Sequence, residues 1–218
     1  MQTKAVLFDL YGTLLVYGNM DRAFGLWYDS IAGALRTFGR ELSGGEVKKL
    51  FKNFFTTPAE YSDELTLYER RIEIILNGIG IRVSKEWLHD FSDHSMDGWQ
   101  KEIWLHPEAP DLLDELKERG FKTGVVSNFD HYPHVRKLLR TTGLAPKLDT
   151  VILSGEVKLK KPDERIFRLA AESLRLEPSE VLFVGDDAEE DAGAKSAGMR
   201  WLCYKNGTPL KPILQELG

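Results

Sequence analysis

The sequence predicts an α/β domain: a parallel sheet covered by helices, interrupted after its first strand by a helical insertion. Three observations predict it. Ala5 to Phe8 is a short apolar run that stops at Asp9, as a strand buried on both faces stops at its carboxyl end. From Asp21 to Trp99 the apolar residues recur at helical spacing with no convincing strand among them. From Asp111 onward, helical and strand patterns alternate, which is the pattern of strands laid parallel with helices over both faces.

Taken in order, the first strand leads into Asp9-Leu-Tyr-Gly-Thr13, where Gly12 permits a sharp turn and Thr13 can fix the loop by a local hydrogen bond. Ala23, Phe24, Leu26, Trp27, Ile31, Ala34, Leu35 and Phe38 then space a helix over Asp21–Phe38, with Gly39 at its stop. Ser43 and Glu46 read as a capping box. The helix they open continues through Val47, Leu50, Phe51, Phe54 and Phe55 until Pro58. A third helix covers Tyr61–Leu76, ended by Asn77-Gly78, and Ser84 caps a fourth through Trp87, Leu88 and Phe91. The aromatic residues of this stretch read as its core.

The pattern changes near His106-Pro-Glu-Ala-Pro110. Helices are expected over Asp111–Arg119, Tyr132–Arg140, Asp163–Leu174 and Glu189–Ala197. Strands are expected over Lys122–Val126, Thr150–Leu153, Glu180–Val184 and Arg200–Tyr204. Residues 1–15 and 106–218 form the α/β core in this reading, and residues 16–105 the insertion.

Composition narrows the classes. The chain has 218 residues, 42% of them hydrophobic and 29% charged, which is ordinary for a globular protein. A net charge of −5 argues against a broad basic surface for nucleic acid. No apolar run approaches the roughly 18 residues of a membrane span. Met1-Gln-Thr-Lys leads straight into the first strand, so no signal peptide fits. A single cysteine, Cys203, forbids an intrachain disulfide and points to the cytoplasm. It lies in the apolar run Met199–Tyr204 and reads as a small buried hydrophobe.

Chemistry-bearing residues follow the strands. Asp9 closes the first, Ser127-Asn128 follow the second, Lys160-Lys161-Pro162 precede the next helix, and Gly185-Asp186-Asp187 close the fourth, with Asp191 beyond. Singly, each has a plain explanation. Asp9 and Ser127 could each cap a turn, Lys161 could be a solvated lysine, and the acidic pair could cap a helix. In a parallel sheet, however, these loops share one edge. Clustered carboxylates repel and call for a cation among them, and oxygen ligands of this kind suit Mg²⁺ with its waters and a substrate phosphate. A lysine there neutralises a phosphoryl oxygen, and Asp9 is placed to act as a nucleophile.

In these motifs and their order the sequence resembles the haloacid dehalogenase-like hydrolases. The resemblance covers residues 4–15 and about 106–204. It implies a Rossmann-like core with a helical-bundle cap inserted after the first strand. Asp9 attacks the substrate in this scheme, while Thr13, Ser127, the Asn128 backbone and Lys161 hold the transferring group. Asp186 binds Mg²⁺ with Asp9 and the Tyr11 backbone carbonyl, Asp187 positions metal-bound water, and Asp191 supports the loop or the groups behind the reacting residues.

The sequence departs from the phosphatase pattern at Tyr11, where the family's phosphatases carry an aspartate that protonates the leaving alcohol and then activates water. A phenol with a pKa near 10 is a poor general base at neutral pH. The Asp9-Leu-Tyr-Gly-Thr13 form is similar to 2-haloacid dehalogenases, whose departing halide needs no proton and which require no metal. Asp186 and Asp187 pull the other way, since those dehalogenases tend to carry Ser and Asn there. The resemblance thus implies a Mg²⁺-dependent phosphatase acting on a small phosphate ester through an aspartyl-phosphate. A 2-haloacid dehalogenase and a non-catalytic ligand-binding relative are the alternatives. The expected partner is a small molecule, neither nucleic acid nor membrane, and both monomer and homodimer remain open.

Overall fold

The computed structural model describes residues 2–217. The chain divides into two compact units, Met1–Tyr17 with Trp104–Gly218, and Gly18–Ile103. Along the chain, β1 (Ala5–Phe8) and β2 (Leu15–Tyr17) precede α1 (Met20–Thr37), α2 (Gly44–Leu50), α3 (Leu67–Gly78) and α4 (Lys85–Gln100). Then come β3 (Ile103–Leu105), α5 (Ala109–Glu118), β4 (Lys122–Ser127), α6 (Tyr132–Thr141), β5 (Thr150–Leu153) and α7 (Ser154–Val157). The chain closes with α8 (Glu164–Ser173), β6 (Val181–Gly185), α9 (Ala192–Ala197) and β7 (Arg200–Cys203).

Among the described residues the large sheet has five strands in the order β5-β4-β1-β6-β7, and every pairing in it is parallel. β1 lies at its centre with all four residues at 0% exposure, as a strand covered on both faces must be. Phe8 is in register with Val125 of β4 and Val184 of β6. The Asp9 N–H extends that ladder by one step, donating to the Val184 carbonyl at 2.8 Å. The chain crosses from β1 to one side of the sheet and later to the other, so the carboxyl ends of β4, β1 and β6 border a crevice where such sheets take ligands. On one face, Leu7, Val126 and Phe183 pack with Ile166, Phe167 and Ala170 of α8 and with Ala194 and Ala197 of α9. The Phe167 and Phe183 rings meet edge to face at 5.0 Å.

The second unit is helical. Trp27, 1% exposed, is surrounded by the rings of Phe24, Phe51, Phe54 and Phe55. Its Nε1–H donates to the Tyr68 hydroxyl at 2.5 Å, and Tyr68 in turn bonds the Ser95 hydroxyl at 2.7 Å. Trp27, Phe51, Phe54 and Tyr68 therefore form a core with its polar tips satisfied, as the spacing of Trp27, Phe51 and Phe54 predicted, whereas Phe38 and Phe55, expected in the core, are exposed. The capping box at Ser43 and Glu46 forms as expected.

Several boundaries differ. α2 ends at Leu50, and Phe54–Thr56 form a separate 3-10 turn, so Phe51 and Phe54 reach the core from a tighter path. α3 begins at Leu67 because Thr66 and Glu69 form a second capping box. α9 begins at Ala192, since residues before it serve the preceding turn. A ribbon of β2 and β3 flanks the insertion. Cys203 is exposed, not buried, because β7 is an edge strand with one flank open. Among the described residues no helix is long and apolar enough to cross a membrane.

Candidate active site

Asp9 is 7% exposed at the end of the central strand. Its Oδ1 accepts the Leu10 N–H at 2.7 Å, and its Oδ2 lies 2.9 Å from Lys161 Nζ. Lys161, 2% exposed, also donates to Asp191 Oδ1 at 2.8 Å, and Glu190 Oε2 stands 4.0 Å away. Burial lowers the pKa of this ammonium, but Asp9 and Asp191 outweigh it and hold Lys161 charged. Burial pushes the Asp9 carboxyl up, the Lys161 ammonium pulls it down, and Asp191 pushes it up again, so it ends above the ordinary carboxylate range. Asp191 shifts upward as well, through burial first, although Lys161 draws it back.

Lys161 is carried by a rigid loop. Its backbone N–H donates to the Asn128 side-chain oxygen at 2.8 Å, and the Asn128 amide returns a bond to the Lys161 carbonyl at 3.1 Å. Asn128 thus ties the loop after β4 to the lysine loop through its side chain. The Lys161-Pro162 peptide is cis. α9 packs so closely on this loop that a side chain at Gly193 would strike the Pro162 carbonyl. Ser127, 1% exposed, is the last residue of β4. The loop beyond it is fixed by Phe129 N–H donating to Ser154 Oγ at 2.9 Å. Gly155 passes so near that its β-carbon would stand 2.8 Å from the Phe129 carbonyl oxygen.

Asp186 approaches from β6. It sits against Gly12, whose φ of +88° and missing side chain leave room for the carboxylate; any β-carbon there would collide with it. Burial and the Asp9 charge push Asp186 up to about 6. Asp9, Asp186 and Asp191 set three carboxylates against the one ammonium of Lys161, a surplus of negative charge that a divalent cation balances. The donor set therefore fits a hard cation held by Asp9 and Asp186, with the Tyr11 backbone carbonyl as the expected third oxygen. Thr13 Oγ1 and Asp191 Oδ2 are buried and find no hydrogen-bond partner among the described residues.

Asp187 follows Asp186 in the loop after β6. Its Oδ1 accepts the N–H groups of Glu189 and Glu190 at 2.9 and 3.0 Å, so it caps the turn that delivers Asp191. Among the described residues no three His, Cys, Asp or Glu side chains gather as a ready-made metal group. Asp191, expected to support the loop or the groups behind the reacting residues, bonds Lys161 directly.

Tyr11 is 6% exposed and stacked on Phe129, with centroids 4.9 Å apart and planes 14° apart. Tyr17 also stacks with Tyr11, at 6.5 Å and 21°. Burial, and then the neighbouring Tyr17, push the Tyr11 phenol well above its ordinary value, so it stays neutral and gives up no proton near neutrality. Sequence reasoning missed Phe129, Ser154, Tyr17 and Glu190. No motif marked them; only the fold brings them to the carboxyl edge of the sheet.

With this geometry in place, a family model for haloacid dehalogenase-like hydrolases matches residues 3–198. The chain belongs to that family. It is 29% identical over 197 residues to (S)-2-haloacid dehalogenase 1 of Pseudomonas sp. strain CBS-3, covering 89% of this chain and 81% of that protein. It is also 29% identical over 205 residues to the pyrophosphatase PpaX of Bacillus velezensis, covering 92% and 84%. Among solved structures it is similar to a haloacid dehalogenase-like phosphatase from Thermococcus onnurineus, with a TM-score of 0.67, 25% identity and coverage of 99% and 98%. The family's fold matches the parallel sheet described above, and its members are hydrolases. Phosphatases and dehalogenases both stand among the relatives of this hydrolase.

Proposed function

We propose that this hydrolase is a Mg²⁺-dependent phosphatase acting on a small phosphate ester. The observation that carries the reading is the placement of Asp186 beside Asp9 over Gly12. Halide displacement needs no metal, so it gives a second carboxylate there no task as a cation ligand. A phosphoryl group brings its own negative charge, and a site holding it requires cations.

In this scheme Asp9 attacks phosphorus through one carboxylate oxygen while the ester oxygen departs. Leu10 N–H and Lys161 hold the nucleophile in one orientation, which converts much of the entropy of encounter into prior structure. Lys161 spreads positive charge over both the attacking oxygen and the transferring group. Ser127 and the Asn128 backbone hold the equatorial phosphoryl oxygens, with Thr13 supporting the nucleophile loop. Mg²⁺, held by Asp9 and Asp186, would supply electrostatic stabilisation of the phosphoryl oxygens. Water then hydrolyses the aspartyl-phosphate. Because Tyr11 neither gives nor takes a proton, turnover is slow for poor leaving groups. Cytoplasmic residence and a small-molecule substrate belong to the same reading.

The second reading is a metal-independent 2-haloacid dehalogenase, favoured by the buried neutral phenol at Tyr11. A panel of phosphate esters and 2-haloacids, run with Mg²⁺ and with EDTA, separates the two. Phosphate release abolished by EDTA supports the phosphatase; halide release indifferent to EDTA overturns it.

A further inference from the structure

Lys161 is fastened at two ends. Its ammonium meets Asp9 Oδ2 at 2.9 Å and Asp191 Oδ1 at 2.8 Å. Its main chain is clasped by one side chain: the Lys161 N–H donates to Asn128 Oδ1 at 2.8 Å, and Asn128 Nδ2 donates to the Lys161 carbonyl at 3.1 Å. Two bonds to the two sides of one residue fix the lysine backbone both in place and in rotation. The clasp is itself anchored. Ser127, on one side of Asn128, pairs with Leu153 of β5. On the other side, the Phe129 N–H donates to Ser154 Oγ at 2.9 Å, and the Gly155 N–H donates to the Phe129 carbonyl at 3.2 Å. The carboxamide thus carries the rigidity of the sheet across to the lysine loop.

The two fastenings fare differently as the reaction proceeds. An Asp9 oxygen forms its bond to phosphorus, the ester oxygen leaves with its electron pair, and Asp9 gives up its carboxylate charge. Among the described residues, the anions then still beside the ammonium are Asp191 and, at 4.0 Å, Glu190. A lysine stem is flexible, so an ammonium held only at its tip follows those carboxylates. A fixed root limits how far it can move. Resting on the phosphatase reading, we propose that the Asn128 side chain is a positioning residue for Lys161. It keeps the ammonium on the transferring phosphoryl oxygens while Asp9 passes from anion to acyl phosphate. This task is separate from that of the Asn128 backbone N–H, and it is exerted through the lysine rather than on the substrate.

A double-mutant cycle tests it, because a residue that acts through Lys161 loses its effect once that ammonium is gone. Single turnovers of dinitrophenyl phosphate are followed with Mg²⁺ and excess enzyme in wild type, Asn128→Ala, Lys161→Met and the double variant. Asn128→Ala is expected to slow the step about thirtyfold when Lys161 is present, and less than about threefold when it is Met. A general loosening of the loop would instead slow both backgrounds alike. Equal losses in the two backgrounds, or no loss with Lys161 present, overturn the positioning role and leave the phosphatase reading intact. Asn128→Ser and Lys161→Gln replace either variant that fails to fold, and the same outcomes decide. A wild-type enzyme that releases no phosphate from any ester overturns the phosphatase reading and the proposal together.

Discussion

Lys161 Nζ lies 2.9 Å from Asp9 Oδ2, and the lysine side chain is wholly shielded from solvent. A buried ammonium survives only with compensating charge, and here two carboxylates, Asp9 and Asp191, supply it. The arrangement holds the Asp9 carboxylate in place, and the charge of the two carboxylates offsets the desolvation of the ammonium. Structure and chemistry are thus coupled at one nitrogen.

Replacing that nitrogen tests the coupling. Lys161→Met retains the volume and removes the charge. Asp9 and Asp191 then face each other without a cation, and breaking such a buried pair costs about 3–5 kcal/mol. Urea melts should show that loss, and phosphate release should fall by more than about a thousandfold. A variant as stable and active as wild type would contradict the role given to Lys161.

Gly12→Ala acts on the other side of Asp9. The residue has a φ of +88°, and its new methyl would strike the Asp186 carboxylate. Left-handed backbone strain costs an alanine about 1–2 kcal/mol, which thermal unfolding should register. The displaced Asp186 should raise the Mg²⁺ concentration giving half-maximal activity by about tenfold or more. An unchanged Mg²⁺ requirement would remove Asp186 from the cation site.

The pH dependence has a definite sign. Folding raises Asp186 to about 6, above its unfolded value, through burial and the charge of Asp9. The folded metal-free protein therefore prefers this carboxyl protonated. The stability it contributes is present at low pH and is lost as pH rises through about 6. Asp186→Asn should accordingly stabilise the metal-free protein relative to wild type, more at pH 7 than at pH 4, by differential scanning calorimetry in EDTA. In wild type, Mg²⁺ binding followed by calorimetric titration should weaken as pH falls below that point, because protons compete for the same oxygens. A stability difference between the two proteins that does not change with pH would contradict the environment assigned to Asp186.

Much of this was legible before the fold. The run Ala5–Phe8 followed by Asp9 carries its own placement, since a four-residue apolar strand has one role in a covered parallel sheet and its end has one location. Asp9, Lys161 and Asp186 likewise fall at strand ends that the alternation of elements aligns. The difference in task between Asp187 and Asp191 was not legible, because it turns on which carboxyl finds two backbone N–H groups within a tight turn. Cys203 sits in an apolar run, yet whether a strand is central or at an edge is decided by pairing, which a local pattern does not record. Tyr17 stacks with Tyr11 only because β2 folds back beside the Asp9 loop, and no spacing rule in the chain announces that return.

The claim beneath the rest is that Asp9 takes the phosphoryl group. Enzyme mixed with an activated phosphate ester and Mg²⁺, quenched and reduced with borohydride, converts an acyl phosphate into the corresponding homoserine, which peptide mass spectrometry locates. The account predicts that product at Asp9, dependent on substrate and Mg²⁺, with both the product and turnover absent in Asp9→Asn. Phosphate release at the wild-type rate by Asp9→Asn, or a trapped adduct at a different residue, would contradict it.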